Sequence, residues 1–119
     1  MDLPYITHEA RDELDEGRAA IVPGELNYQI TRALLDNRAS TVRALIRTYW
    51  ANSDHNYQAL NDIIGAVFGA LMEMDRRLGK HIMGANSILP MKFLQEFYKD
   101  VGAPYEEDKR RTNGDVYRT

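Results

Sequence analysis

"SDHNYQALNDIIGAVFGALMEMDRRLGKHIMG", residues 53–84, is the stretch that decides the fold. Tyr57, Leu60, Ile64, Val67, Leu71, Met74 and Leu78 recur at alternating spacings of three and four, which is the apolar stripe of an amphipathic helix. Ser53 or Asp54 stands where an N-cap is needed, and Gly84 where the helix would end. Ile63, Phe68, Ala70 and Met72 add apolar groups on other sides. One flank cannot account for them all, so the helix is expected to be central and covered on two faces by neighbours.

The flanking segments supply those neighbours. "THEARDELDEGRAA", residues 7–20, opens with Thr7 as N-cap and carries Glu9 and Glu13 toward a positive helix N-terminus, while Gly17 weakens its far end. Pro23-Gly24 breaks the chain. "ELNYQITRALLDN" then places Leu26, Ile30, Ala33 and Leu34 on one face and ends at Asn37. Ser40 is read as the next cap, opening "TVRALIRTYWANS" with Val42, Leu45, Ile46 and Tyr49 inward and Arg43 and Arg47 off that side. After a bridge at Asn86-Ser87, "ILPMKFLQEFYKDVG" is expected to form a last helix. Pro90 would lie near its first turn, Phe93, Leu94, Phe97 and Val101 inward, Gly102 at its cap, and Pro104 barring continuation. No strand pattern with hairpin turns competes. The expected fold is all-α: a small bundle of four to five helices with a long central helix, one domain over residues 1–119, and a C-terminal tail (103–119) packed back on it.

Composition narrows the classes of function. With 119 residues, 44% of them apolar and 28% charged, the chain can fill one core and is expected to fold. It has no cysteine, hence no disulfide, thiolate metal site or cysteine nucleophile, and the cytoplasm is the default location. No apolar window is long enough to span a membrane, and the start lacks a signal peptide's pattern. The net charge of −3 argues against general nucleic-acid binding.

Two glycines in "GAVFGA", Gly65 and Gly69, each weaken a helix by about 1 kcal/mol relative to alanine, so a groove is expected there, for packing inside the monomer, for a subunit interface or as a ligand channel. Polar residues gather in "ELNYQITR" (Asn27, Tyr28, Thr31, Arg32) and "YQALND" (Tyr57, Asn61, Asp62), as an interhelical hydrogen-bond network or a small-ligand pocket. Lys109, Arg110 and Arg111 with Tyr105 and Tyr117 are read as a solvated charge run or, alternatively, as a group that grips phosphate or stacks on a base. His8, His55 and His81 lack metal-ligand spacing, no Gly-x-Ser-x-Gly elbow or P-loop occurs, and no catalytic residue, metal ligand or cofactor is assigned.

The blocks "PYI" (4–6), "PGELNYQIT" (23–31), "ALNDIIGA" (59–66), "EFYKDVGAPYEEDK" (96–109) and "NGDVY" (113–117) together resemble a family of small phage and bacterial proteins. Members share the order PYI, P-G-E/D-L-N-Y-x-I-T, N-D-x-I-G and A-P-Y-E-D-x-K followed by N-G-D-V-Y. This chain departs from them by an extra segment around residues 75–93 and by Lys99-Asp100 where members carry two arginines. The family has no described activity, so the resemblance implies a setting, that of phage or prophage accessory proteins. Its blocks fall on Asn27, Tyr28, Thr31, Asn61, Asp62, Tyr105, Glu106, Lys109, Asn113, Gly114, Asp115 and Tyr117. The tail is expected to fold back, with Tyr105 and Tyr117 over the start of the long helix and Asn27, and the Asn113-Gly114 turn returning Tyr117 to the body.

The leading expectation is a non-enzymatic, homo-oligomeric accessory protein in the host cytoplasm that binds a host or viral protein, or a small anionic ligand such as a nucleotide signal. A virion or assembly component is the alternative. A nucleotide-hydrolysing bundle using Glu9, Glu13, Glu73 and Asp75 is the second alternative.

Overall fold

The computed structural model describes residues 6–78 and 85–113. They form α1 (His8–Asp15), α2 (Pro23–Leu35), α3 (Val42–Ala51), α4 (Tyr57–Leu78), α5 (Ala85–Phe97) and α6 (Ala103–Asn113), with a 3₁₀ turn at Ala39–Thr41 and a π turn at Tyr98–Gly102. No strand occurs among the described residues. The fold is an all-α bundle built around α4, with α2 packed most extensively along it.

Local chemistry explains most boundaries. Thr7 caps α1, its Oγ1 accepting from the Ala10 N–H at 3.1 Å. Gly17, at φ +108°, closes that helix: the Gly17 N–H donates to Leu14 O at 3.0 Å and the Arg18 N–H to Glu13 O at 3.0 Å. Asn37 does the same for α2 at φ +56°, the Arg38 N–H reaching Ala33 O at 2.7 Å. Leu26, Ile30, Ala33 and Leu34 of α2 and Val42, Ile46 and Tyr49 of α3 are buried as their spacing predicts.

Several expectations need correction. Pro23 does not precede α2 but is its first residue, where a missing N–H costs nothing. Ser40 is an exposed member of the 3₁₀ turn and α3 begins at Val42; the turn is closed by Thr41, whose Oγ1 donates to Arg38 O at 2.7 Å. Asn56, rather than Ser53 or Asp54, caps α4: its Oδ1 accepts from the Ala59 N–H at 2.9 Å and its carbonyl from the Leu60 N–H at 3.1 Å. Ser53 is spent on closing α3, donating to Trp50 O at 2.7 Å, and the chain reverses through His55 at φ +52°. Asn86 and Ser87 lie inside α5, which starts at Ala85 and holds Pro90 within it. Gly84 falls outside the described residues.

The largest departure is at the last helix. Gly102 does not end it and Pro104 does not stop it. The backbone stays right-handed helical through Phe97 and Ala103, and the Ala103 N–H donates to Tyr98 O, one residue further back than in an α-helix. Widening the turn makes room for a proline ring that would otherwise strike the preceding carbonyls. Gly102 is required for another reason: a Cβ there would lie 2.7 Å from the Tyr98 ring and 3.2 Å from Leu60 Cδ1. The tail, expected from Ala103 onward, is helical as far as Asn113.

The core face of α4 is Leu60, Ile63, Val67, Ala70 and Met74, with Ile64 and Leu71 half-buried. Its second apolar side is uncovered. Phe68 is 46% exposed and Met72 71%, against the expectation that neighbours cover both faces.

Candidate functional site

Helical geometry separates the residues that the primary structure lists side by side. At 100° per residue, Asn27 and Thr31 share one face of α2, and Tyr28 and Arg32 the adjacent one. Asn27 and Thr31 turn toward α4. The Thr31 hydroxyl, fully buried, lies 2.8 Å from Asn27 O and 3.0 Å from Asn27 Oδ1, so these contacts run within α2 rather than between helices. The Asn27 amide rests on Gly69, where a Cβ would come within 2.5 Å of Asn27 Nδ2. Gly69 therefore admits a side chain. Gly65 is different: a Cβ there would meet nothing within 4 Å, and it borders an open notch of about 300 Å³ with Pro23, Gly24, Asn27 and Asn61.

Tyr28 and Arg32 instead line a polar cleft of about 370 Å³ between α1, α2 and the start of α3, with Asp15, Gln29, Arg38 and Thr41. The Tyr28 hydroxyl donates to the Asp15 carboxylate, at 3.0 and 3.1 Å from its two oxygens; burial first, then that carboxylate, raises the tyrosine's pKa. Arg11 and Arg32 act on Tyr28 in the opposite sense. Arg32 Nη2 stands 3.7 Å and Arg38 Nη2 3.3 Å from Asp36 Oδ2, so two guanidiniums converge on one carboxylate. Both arginines keep much of their surface in solvent.

The loop between α1 and α2 is pinned by a pair that sequence reasoning missed. Arg18 donates to both Glu25 oxygens, at 3.2 and 2.7 Å, and the Ile21 N–H donates to Glu25 Oε1 at 3.0 Å. Glu25 is only 8% exposed, and the arginine beside it holds its pKa below the usual carboxylate range. A glutamate directly after Pro-Gly, in the first turn of a helix, looks like an ordinary dipole partner; nothing local announces the arginine seven residues back.

At the start of α4 the candidates divide again. Asp62 accepts from the Tyr49 hydroxyl at 3.1 Å and from Gln58 Nε2 at 2.7 Å; burial and Asp62 together push the Tyr49 pKa up to about 12. Asn61 borders the Gly65 notch. Tyr57 belongs to an aromatic group at the end of the bundle. Its ring meets Tyr105 edge-on at 5.2 Å, Tyr105 meets Trp50 at 5.8 Å, and His55 stacks on Trp50 at 4.9 Å and 4°. Lys109 lies 5.7 Å from the centre of the Tyr105 ring. Tyr105 thus reaches the start of the long helix as expected, while Asn27 sits about three turns further along it, at Gly69. Asn113 closes α6; Asp115 and Tyr117 fall outside the described residues.

The carboxylates of the hydrolytic alternative do not converge. Glu73 is held by Arg76 at 2.7 Å and Arg77 at 2.8 Å, which lower its pKa, and among the described residues no group of three His, Asp or Glu side chains is placed to hold a metal ion. No described helix is long and apolar enough to cross a membrane.

By fold this is an all-α helical bundle with a polar cleft on one side and an aromatic cluster at one end. The chain belongs to the family described as "Domain of unknown function (DUF6899)", whose model matches residues 3–81. That span contains the PYI, PGELNYQIT and ALNDIIGA blocks and stops short of the two C-terminal ones. Neither curated proteins nor solved structures gave a match.

Proposed function

We propose that the protein acts by binding: a self-associating, phage-type accessory protein whose cleft between α1, α2 and α3 takes a small anionic ligand. The phage setting is supported by the resemblance of its sequence blocks. The observation that carries the ligand reading is the charge around Tyr28. Arg11 and Arg32 act on it, and Arg32 and Arg38 line the cleft. Arg32 and Arg38 share the single carboxylate of Asp36, at 3.7 and 3.3 Å, and keep much of their surface in solvent. Arginine's planar fork suits phosphate and carboxylate, and the Tyr28 hydroxyl adds a polar group for orientation. The cleft's volume suits a ligand of mononucleotide size. A thermal-shift panel of inorganic phosphate, nucleotides and cyclic nucleotides tests it. A bound ligand at a hundred times its Kd stabilises by about 2.7 kcal/mol. Stabilisation by at least one anion, lost in Arg32→Gln/Arg38→Gln, is expected; no response across the panel overturns the ligand reading.

A further inference from the structure

We propose that α4 pairs with α4 of a second copy, antiparallel across a two-fold axis, with Met72 of each chain seated in the notch beside the other's Gly65. This rests on the self-association proposed above and gives it a surface and a register.

Knob and hole are both present on one chain. Met72 is the more exposed of the two large apolar residues on the outer side of α4, at 71%, and Phe68 beside it is 46% exposed. Gly65 leaves open space where a Cβ would stand, in a notch of about 300 Å³ floored by Ala66 and walled by Pro23, Gly24 and Asn61. Seven residues separate Gly65 from Met72. At 100° and 1.5 Å per residue they lie about 20° apart around the helix and about 10 Å apart along it. A two-fold axis midway between them, close to Phe68 and Gly69, superposes each Met72 on the partner's Gly65. Both contacts form in one operation, as a closed two-fold interface requires. A parallel pair would set Met72 against Met72 and leave both notches empty.

The flanks agree in charge and shape. The same operation brings Arg76, itself paired to Glu73 of its own helix, level with the partner's Asn61 and Asp62, so side chains of opposite charge meet at the rim of each end of the apolar strip. The shallow apolar depression beside Phe68, Leu71 and Met72, about 770 Å³, then faces the partner's α2 entry, where Val22 is 48% exposed. From Asn61 to Arg76 the strip is about 22 Å long, which puts the interface at the low end of specific ones and makes it dissociate on dilution.

The cysteine-free chain permits a direct test. Sedimentation over a concentration series is expected to show a reversible dimer, and Met72→Glu to abolish it. The Gly65→Cys/Met72→Cys variant should form an intermolecular disulfide on mild oxidation. Met72→Cys alone should not, because the two Met72 positions lie about 10 Å apart along the axis, beyond disulfide reach. A dimer that survives Met72→Glu, or in which the 65/72 pair fails to cross-link, overturns this interface and leaves self-association standing. A monomer at every concentration overturns both.

Discussion

Gly65 and Gly69 stand one turn apart on the same helix, and a methyl group added to each should have opposite effects. Alanine in place of a helical glycine gains about 1 kcal/mol at either position. At Gly65 the new Cβ meets nothing within 4 Å, so Gly65→Ala is expected to stabilise the monomer by about that amount. At Gly69 the Cβ would stand 2.5 Å from Asn27 Nδ2 and 3.5 Å from its Cγ. The amide must swing away, which breaks the 3.0 Å contact between Thr31 Oγ1 and Asn27 Oδ1 in a fully buried place. Overpacking costs about 1–3 kcal/mol and the lost hydrogen bond about 1, against the gain of about 1 from alanine, so Gly69→Ala is expected to destabilise by roughly 1–3 kcal/mol net. The two variants should differ by about 2–4 kcal/mol. Urea denaturation of dilute protein reads this as midpoints about 1–2 M apart at an unchanged slope. In an Asn27→Ala background the Gly69→Ala penalty should disappear. Equal shifts for the two alanines, or loss of stability in Gly65→Ala at the lowest concentration, would refute the reasoning.

Arg18→Met removes the guanidinium and leaves buried Glu25 with the Ile21 N–H; a loss of about 2 kcal/mol in urea is expected. Glu25's folded pKa is depressed, so the pair's contribution is present above the unfolded value of about 4.3 and fades as pH falls through the folded one; the gap between wild type and Arg18→Met should narrow in acid, and a constant gap would sink the assignment. Tyr49 shifts the other way: its folded pKa of about 12 exceeds the unfolded value, so its contribution is complete below about pH 10 and lost as pH rises through 12. Tyrosinate absorbance should show a late-titrating phenol that vanishes in Tyr49→Phe; no change in that variant would count against the Asp62 contact. Tyr105→Ala should cost about 2 kcal/mol and alter the emission of the single tryptophan, Trp50, while Tyr105→Phe leaves both nearly unchanged, and an emission insensitive to Tyr105→Ala would refute the ring contact.

The helices were legible where one chemical rule governed each. Apolar spacing of three and four marked α2, α3 and α4, and Thr7 and Asn37 sat at the helix ends their chemistry favours. Failures came where two local rules competed. Ser53, Asp54 and Asn56 are all capable caps, and which one acts depends on Ser53 being taken by Trp50 O and on His55 accepting a left-handed backbone. Pro104 was read as a stop because proline cannot extend a regular helix, whereas a wider turn lets the chain continue. The polar candidates were chemically apt but pooled: Asn27 and Tyr28 are adjacent in the chain and on different faces in space. The Arg18–Glu25 pair joins the chain end of one helix to the first turn of the next, and no periodicity encodes such a meeting.

The π turn at Tyr98–Gly102 has a rotational consequence. Phe97 and Tyr105 both meet Trp50 edge-on, at 5.7 and 5.8 Å, although eight residues separate them. In an uninterrupted α-helix eight residues end about 80° away from the starting face, too far around for two rings to share one target. Absorbing one residue makes the interval behave as seven, about 20° off, and the Tyr98 hydroxyl reaches Glu106 Oε2 at 2.7 Å across the same interval. The turn is a phase shifter: it sets which side of α6 the bundle sees. Straightening it into regular α-helix at unchanged length would swing everything beyond by about 100° and aim Tyr105 away from Trp50, with every contact residue still in the chain, whereas excising one residue from it would leave Tyr105 on the same side.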